Sequence, residues 1–240
     1  MLPVAILAGG LATRLRPLTE TIPKSMIEIC GEPFVHWQIK QLAKAGVTDI
    51  VLCVGFMSEM IVEFLGDGSQ YGVKIRYSHD GPSQLRTGGA IIKALPFLGR
   101  EFMVLYGDSY LPINFRKVEK EFTDSSKPAL MTVYANHGRF DASNVDFIGG
   151  VLRRYHKGME IPEMTHIDYG LSVFKESVFT SYSLDLPLDL AKICTDLASQ
   201  NLLAGHEVVE RFYEIGSHQG ILDFTEYIER NLSELSRISA

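Results

Sequence analysis

Two patterns of hydrophobic spacing alternate along residues 1–125 of the chain. Short apolar runs predict strands at residues 3–7, 49–54, 73–78 and 101–106. Longer segments, with apolar residues at every third or fourth position, predict helices at residues 34–45, 58–65 and 89–95. Gly46 is expected to end the first helix, and Ser58 to cap the second. Because strands and helices alternate, the sheet should be largely parallel with right-handed crossovers.

After about residue 125 the predicted strands follow one another with fewer helices between them. Strands are predicted at residues 129–135, 145–155 and 167–174, and helices at residues 188–199 and 219–232. We therefore expect one α/β domain over residues 1–240. Its first half, residues 1–125, has the pattern of a nucleotide-binding unit, and residues 126–240 should complete the sheet and hold a second ligand. In open α/β sheets ligands bind beyond the carboxyl ends of the strands, so motifs that follow strands carry the most weight.

The amino-acid composition and net charge exclude some classes of function. Of the 240 residues 46% are hydrophobic, which is enough for a large core. A net charge of -6 argues against nonspecific nucleic-acid binding, which requires a basic surface. No basic leader or membrane-length apolar stretch is visible, so we expect a cytoplasmic protein with no membrane partner. Three distant cysteines, Cys30, Cys53 and Cys194, lack metal-ligand spacing and are typical of buried thiols in a reducing compartment.

The first predicted strand runs directly into a loop that combines glycines with cations, LAGGLATRLRPLTETIPK at residues 7–24. Gly9 and Gly10 allow a tight turn that presents backbone amides to a ligand. Arg14, Arg16 and Lys24 place positive charge near the same loop, and arginine can hold a phosphate through two hydrogen bonds. The pattern is neither a Walker P-loop nor the dinucleotide GxGxxG. A Gly-Gly pair alone would also fit a solvated surface loop.

The whole string resembles the signature GGxGTRLxPLTxxxPK of the sugar-1-phosphate nucleotidyltransferases, with Ala12 in place of a glycine. The resemblance implies a Rossmann-like core with a mixed, mostly parallel central sheet flanked by helices. It also implies that Arg14 stabilises the pentavalent transition state and the leaving pyrophosphate, and that Lys24 holds the reacting phosphates. The backbone that would cradle base and ribose belongs to Leu7, Ala8, Gly9 and Gly10.

A second glycine pair stands where the third predicted strand gives way to a helix, in SQLRTGGAI at residues 83–91. Without the resemblance, it fits a helix entry capped by Thr87. Family members carry similar strings here, which implies that Gly88 packs on the nucleobase and that Gln84 contacts the base edge. Arg86 replaces a frequent glycine and either contacts a phosphate or faces solvent, so this loop does not fix the base.

The fourth predicted strand ends in Gly107-Asp108. An aspartate there can cap a helix, but phosphoryl transfer also needs a hard cation held by one or two carboxylates. The resemblance implies that Asp108 is a catalytic Mg²⁺ ligand. The family's second ligand is the aspartate of a D-x-G string, and the matching stretch FYEIGS offers Glu214 instead. Glu214 is therefore a candidate ligand, with an ordinary edge-strand charge as the alternative.

The acceptor half departs further from the family pattern. In RYHK, His156 stands where glutamate is usual, while Lys157 is kept and is expected to grip the sugar phosphate. A hydrogen-bonded structural role is the alternative for His156. The later Asn-x-Gly string is here Asp168-Tyr169-Gly170, and Asp168 is expected to bind sugar hydroxyls. Asn144 is a further candidate for this sugar-phosphate site.

Taken together, the resemblance implies transfer of a nucleoside monophosphate from an NTP to a sugar 1-phosphate, with release of pyrophosphate. The short format and the second loop are most similar to heptose- or mannose-1-phosphate guanylyltransferases, which favours GTP. The stretch LGDGSQYGVKIRYS is also similar to uridylyltransferases that act on amino-sugar phosphates, which keeps UTP open. A homodimer is compatible with the sequence. Two other classes remain as alternatives: a regulatory module that binds nucleotide sugars, and a glycosyltransferase, although the chain lacks the usual D-x-D string at residues 107–110.

Overall fold

A computed structural model describes residues 1–10, 13–81, 85–140, 142–158, 161–183 and 187–238. Its strands are β1 (Val4–Leu7), β2 (Glu28–Ile29), β3 (Glu32–Pro33), β4 (Asp49–Val54), β5 (Lys74–His79), β6 (Glu101–Tyr106), β7 (Ser109–Tyr110), β8 (Ala129–Ala135), β9 (Val145–Ile148), β10 (Val151–Tyr155), β11 (His166–Lys175), β12 (Leu203–Val208) and β13 (Tyr213–Glu214). Its α-helices are α1 (Phe34–Ala45), α2 (Ser58–Leu65), α3 (Arg86–Leu98), α4 (Phe115–Ser125), α5 (Leu190–Ser199) and α6 (His218–Ile238).

The central sheet is mixed and mostly follows the predicted pattern. Strands β6, β1, β4 and β5 lie side by side in that order and are parallel. Strand β11 is antiparallel to β6 on one side and to β8 on the other, and β12 continues parallel to β8. The hairpin of β9 and β10 joins at the start of β11. This α/β architecture confirms the predicted fold class, and it brings strands from both halves of the chain into one sheet.

In the first half the hydrophobic pattern places the elements correctly, but one cap is wrong. Gly46 ends α1 in a left-handed conformation with φ of 93°, as expected of a glycine stop. Ser58 does not cap α2: it is the helix's first residue, behind Met57, and its hydroxyl lies 3.5 Å from Nδ1 of His79. The serine is therefore used for a contact between helix and sheet. Helix α3 also begins three residues earlier than the predicted 89–95 segment.

In the second half one predicted strand is two. The segment at residues 145–155 folds back at Gly149-Gly150, where both glycines have positive φ, so β9 and β10 pair with each other. The Gly-Gly pair is a turn signal, so the sequence does carry a sign of this reversal. Strand β11 and helices α5 and α6 appear where the sequence predicts them, with ends shifted by a few residues.

Hydrophobic side chains cover both faces of the sheet and hold it between helices. One face packs against α1, α2 and α4, and the other against α3 and α5. A smaller cluster joins the C-terminal helix to the start of the chain, where the Phe34 and Phe224 rings meet edge to face at 5.2 Å. Helix α6 therefore packs beside the segment that follows β1. Among the described helices none has the length and apolar character needed to cross a bilayer.

Candidate active site

One cavity of about 1050 Å³ lies at the carboxyl ends of the parallel strands. The loop after β1 forms its floor, the ends of β4 and β5 lie at one side, and β6 and β11 lie at the other. Most of the residues singled out from the sequence line this cavity: Leu7, Ala8, Gly9, Gly10, Arg14, Lys24, Asp108, Asn144, Lys157, Asp168 and Glu214. The structure thus gathers residues from Leu7 to Glu214, which are far apart in the chain, around one space.

Two predicted nucleotide contacts are not in that set. Gln84 lies outside the described residues. Gly88 is buried at the start of α3 and does not line the cavity; its amide donates to the carbonyl of Leu188 at 2.7 Å. A Cβ at position 88 would lie 2.9 Å from that carbonyl oxygen, so the glycine here is required by the segment that crosses over the helix. A base contact by Gly88 stays a prediction without support from this arrangement.

The helix start around Gly88 is fastened to the second half of the chain. Thr87, considered as a cap for its own helix, instead accepts a hydrogen bond from the amide of Leu190 at 2.8 Å, at the start of α5. Arg86 has a positive φ of 59° and pairs with Asp189 at 2.8 Å. Arg86 and Asp189 both line the cavity, so this pair links the two halves at its rim.

At the centre of the cavity Lys24 and Asp108 form an ion pair, with Nζ 2.6 Å from Oδ2. Burial is the largest influence on the pKa of Asp108 and works to raise it, but the charge and hydrogen bond of Lys24, together with the hydrogen bond from Ser109, hold the pKa below its usual range. The carboxylate is therefore charged at neutral pH. Asp108 does not cap a helix: it sits in the turn between β6 and β7, and the next helix is capped by Asn114.

Helix α1 holds that turn in place through a buried glutamine. Gln38 is fully buried and its Nε2 donates to the carbonyl of Tyr106 at 3.0 Å and to that of Ser109 at 2.7 Å. These two carbonyls flank Gly107-Asp108. About one helical turn further along α1, Gln41 donates to the carbonyl of Leu111 at 2.7 Å. The polar positions of an otherwise apolar helix face therefore fix the backbone that carries Asp108.

Glu214 lies beside Asp108 on the neighbouring strand of a small ladder, where it pairs with Ser109. Its carboxylate accepts from the amide of Gly216 and from the hydroxyl of Ser217 at 2.8 Å. The Lys24 ammonium also lies against Gly216, 3.1 Å from where a Cβ would stand. Two carboxylates and a lysine therefore converge at one point of the cavity.

The described residues contain no group of three or more His, Cys, Asp or Glu side chains arranged to hold a metal ion. Mg²⁺ commonly uses only one or two protein carboxylates and completes its shell with water and substrate phosphates. Asp108 stands just before β7, and Glu214 lies on β13, which pairs with β7, so the two carboxylates offer hard oxygen donors that fit Mg²⁺ bound together with a nucleotide. Two carboxylates are too few ligands for a closed structural metal site.

The acceptor side is built around Asp168 on β11. Its carboxylate accepts from the hydroxyl of Tyr106 at 3.0 Å and from the amide of Gly170 at 3.0 Å. Burial raises the pKa of Asp168, opposed by these hydrogen bonds and by Lys157. The side-chain oxygen of Asn144 accepts from the Asp168 amide at 2.8 Å, and Lys157 lies 5.8 Å above the Tyr106 ring. Asn144, Lys157 and Asp168 are thus neighbours, as the sequence prediction requires.

Several cavity residues were not singled out from the sequence. Arg211 lies over the Phe140 ring at 5.4 Å, and Phe140 packs against Phe212 at 4.9 Å, which makes an aromatic wall at the acceptor end. Phe212 could have been predicted as a cavity residue from the sequence, because it stands two residues before the candidate ligand Glu214. At the other end Asp80 follows β5 directly, which is the kind of position that the strand-end rule favours.

The chain matches the family model described as nucleotidyl transferase over residues 4–231. It is 30% identical over 214 residues to the N-acetylmuramate alpha-1-phosphate uridylyltransferase of Neisseria meningitidis, covering 88% of this chain and 92% of the relative. It is 32% identical over 180 residues to the D-glycero-alpha-D-manno-heptose 1-phosphate guanylyltransferase of Campylobacter jejuni, covering 75% and 78%. The crystal structure of HddC from Yersinia pseudotuberculosis complexed with GMP-PN superposes with a TM-score of 0.78 at 22% identity, covering 95% of this chain and 100% of that one.

Proposed function

The chain belongs to the nucleotidyl transferase family, and we propose that it is a guanylyltransferase that joins GMP from GTP to a heptose or hexose 1-phosphate. The reaction class is transfer of a nucleoside monophosphate from an NTP to a sugar 1-phosphate, with release of pyrophosphate. The protein is therefore an NDP-sugar pyrophosphorylase in class. The sugar, the base and the residue roles below are the proposal.

One observation supports it above the others: the cations and carboxylates suited to phosphoryl transfer lie in mid-cavity. Lys24 and Asp108 form their ion pair just beyond the end of β6, and Arg14 lines the same cavity. The Asp168 and Lys157 group lies on one side of them, toward β11, and open cavity continues on the other side, toward β4 and β5. A donor and an acceptor could therefore enter from opposite ends and meet at the charged centre.

In the proposed reaction an oxygen of the sugar phosphate attacks the α-phosphorus of the NTP, and the bond to pyrophosphate breaks in line. No covalent enzyme intermediate is required, so the protein positions the phosphates and neutralises developing charge. The guanidinium of Arg14 stabilises the pentavalent phosphorus and the departing pyrophosphate. Lys24, already in the cavity, aligns the phosphates of the nucleotide, and Lys157 holds the phosphate of the sugar.

Asp108 and Glu214 would hold Mg²⁺ in this scheme. When bound, the ion neutralises negative charge on the phosphate oxygens. The Lys24 ammonium keeps the Asp108 carboxylate ionised and so ready to act as a ligand at neutral pH. At the acceptor end, hydrogen bonds from Tyr106 and Gly170 fix the orientation of Asp168, whose remaining acceptor capacity can meet sugar hydroxyls.

The guanylyl assignment draws on the relative from Campylobacter, and a second candidate draws on the one from Neisseria. That relative is named as a uridylyltransferase and matches more of this chain. A uridylyltransferase acting on an amino-sugar 1-phosphate is therefore the alternative. A cytoplasmic location and a homodimer remain predictions from the sequence.

The test is pyrophosphate release from purified protein with Mg²⁺, each NTP in turn and a panel of sugar 1-phosphates. We expect release with GTP and a heptose or hexose 1-phosphate. Arg14→Ala and Asp108→Ala should each lower kcat by about a hundredfold or more, because losing one such electrostatic contact typically costs ~3 kcal/mol of barrier. Arg153→Ala and Asp124→Ala, which change exposed charges outside the cavity, are matched controls and should keep normal turnover.

Release only with UTP and an amino-sugar phosphate would replace the substrate assignment with the second candidate. Full turnover in Arg14→Ala or Asp108→Ala, with a normal melting temperature, would overturn the roles of those residues. Chelation with EDTA should abolish release, and added Mg²⁺ should restore it. Release that is unaffected by EDTA would refute the assigned role of Asp108 and Glu214 as metal ligands.

A further inference from the structure

A strained arginine stands at the rim of the cavity, at the start of α3. Arg86 lines the cavity, and its guanidinium pairs with the carboxylate of Asp189 at 2.8 Å. We propose that Arg86 is a further phosphate-binding residue, which Asp189 holds at the rim and yields to the triphosphate of the incoming nucleotide. This inference rests on the proposed nucleotidyl transfer, because it assumes that a nucleotide enters the cavity. It goes further in assigning a role in nucleotide entry to an ion pair outside the reaction centre.

The backbone of Arg86 costs the fold stability. Its φ of 59° lies in the left-handed region, which is disfavoured by about 5- to 30-fold for a residue that carries a Cβ. The ion pair does not offset this cost. The Arg86 and Asp189 side chains are 61% and 46% exposed, and such an exposed pair favours the folded state by about fivefold at most. A glycine would fit this position without strain, so stability does not account for the arginine.

The residues on either side of Asp189 are fixed to the start of α3 by hydrogen bonds of their own. The amide of Leu188 donates to the carbonyl of Leu85 at 3.1 Å, and the amide of Leu190 donates to the hydroxyl of Thr87 at 2.8 Å. Asp189 therefore keeps its place without the ion pair. Because these bonds hold the two segments together, the guanidinium can leave the carboxylate without separating α3 from α5.

The strand order places Arg86 at the end of the cavity where the nucleotide is proposed to enter. Helix α3 follows β5, and β6, β1 and β4 lie between β5 and the strand that carries Asp168. If the acceptor sugar occupies the Asp168 side, the nucleotide enters from the α3 side. An incoming triphosphate therefore passes Arg86 before it reaches Lys24 at the reaction centre.

Electrostatics gives a rim cation a task in this protein. The chain has a net charge of -6, which repels an anionic nucleotide at a distance, and a cation at the cavity mouth opposes that repulsion locally. A guanidinium can also hold a phosphate through two parallel hydrogen bonds. A triphosphate carries more negative charge than the single carboxylate of Asp189, so the exchange of partners favours the nucleotide. The contact involves the phosphates and is independent of the base.

Calorimetric binding of GTP, UTP and inorganic tripolyphosphate to the full chain, each with Mg²⁺, tests the proposal. Tripolyphosphate has neither base nor ribose, so it reports the phosphate contact alone. Arg86→Gln should weaken binding of tripolyphosphate and of the preferred NTP by about tenfold at ~10 mM salt, as for a lost hydrogen bond between charged groups. The loss should shrink at ~150 mM salt, where the Debye length is only about 8 Å. Asp189→Asn should instead tighten binding, because it removes the competing carboxylate.

Arg86→Gly separates the phosphate contact from stability. It should weaken binding as Arg86→Gln does, while its melting temperature stays the same or rises by up to about 4 °C, because the left-handed strain is relieved. Ser126→Gly is the control for strain: Ser126 has a φ of 56° at the end of α4, outside the cavity, so binding should not change. Lys120→Gln is the control for charge, since it breaks the exposed pair with Asp124 outside the cavity and should also leave binding unchanged.

Unchanged tripolyphosphate affinity in Arg86→Gln at low salt would overturn the proposal. Weaker binding in Asp189→Asn would do the same, because the loss of either partner then has one effect, as expected of a purely structural pair. If an NTP gives pyrophosphate but its binding does not depend on residue 86, nucleotidyl transfer stands and the role of Arg86 is wrong. If no NTP gives pyrophosphate but tripolyphosphate binding depends on residue 86, the phosphate contact stands and the proposed reaction fails. Melting curves establish that each variant is folded.

Discussion

The buried glutamine on helix α1 offers a direct test of how the fold positions the catalytic carboxylate. Replacing Gln38 by the similarly sized Met removes two hydrogen bonds, to Tyr106 and Ser109, and leaves those carbonyls without their amide donor. Each buried group left unsatisfied costs about 1–3 kcal/mol. Removal of the amide's own Oε1, which is buried and has no partner within the described residues, offsets part of this loss. We expect a net loss of about 2 kcal/mol, or ~4–8 °C in melting temperature for a domain of this size.

The same substitution should lower activity, because the turn between the two carbonyls carries Asp108. A displacement of about 1 Å at a reacting group can cost as much as a hundredfold in rate, so we expect kcat in pyrophosphate release to fall at least roughly tenfold. Gln41→Met is the matched control on the same helix: it loses two hydrogen bonds to the backbone of Leu111, beyond the turn, and should lower stability while keeping kcat. Thermal unfolding and steady-state kinetics measure both quantities. Equal kcat losses in the two variants would show that general loosening, and not the Asp108 turn, governs the rate.

Two further predictions separate packing from charge. In thermal unfolding, Gly107→Ala should lower the melting temperature sharply, because the new Cβ would collide with the Leu7 carbonyl and stand 2.9 Å from Cα of Ala8. Gly10→Ala is the control: its Cβ would meet nothing within 4 Å, so the melting temperature should not change. Burial raises the pKa of Asp168 in the folded protein. As pH rises, this carboxyl therefore ionises first in the unfolded chain, and the folded state loses stability between the ordinary aspartate pKa and the higher pKa of the folded state. Asp168→Asn removes that loss and should raise the melting temperature more at pH 7.5 than at pH 4, and an equal change at both pH values would contradict the burial of a charged form.

The phosphate end of the site could be predicted from the sequence because its signal is contiguous. A buried strand, two glycines and spaced cations stand within residues 4–24, and the structure brings Arg14 and Lys24 into one cavity. Asp108 is equally predictable, since it comes two residues after a strand whose residues 102–105 are all apolar and buried. The alternation of strands and helices likewise predicts that β1, β4, β5 and β6 are parallel, although it does not give their order in the sheet. These features depend on neighbours in the chain and require no knowledge of distant contacts.

The predictions that failed or lack support depend on partners far away in the chain. Ser58 has the right residue type for a cap, but His79 in the sheet takes its hydroxyl. Gly88 has the right setting for a base contact, but the chain at Leu188 covers it. Asp80 carries no motif, and only the strand order shows that it lines the same cavity as Asp108. Spacing along one sequence contains none of this information.

The replacement of the usual aspartate by Glu214 shows how packing gives meaning to a departure from a motif. The extra methylene needs space, and two glycines supply it: a Cβ at Gly216 or at Gly220 would collide with the glutamate carboxylate. The carboxylate is thereby drawn to the amide of Gly216 and the hydroxyl of Ser217, just before helix α6, where the helix dipole favours negative charge. Glutamate thus has a fixed place at this position and is not merely tolerated. The same carboxylate lies beside the Asp108 turn, so the longer side chain keeps its charge where the phosphates are proposed to bind.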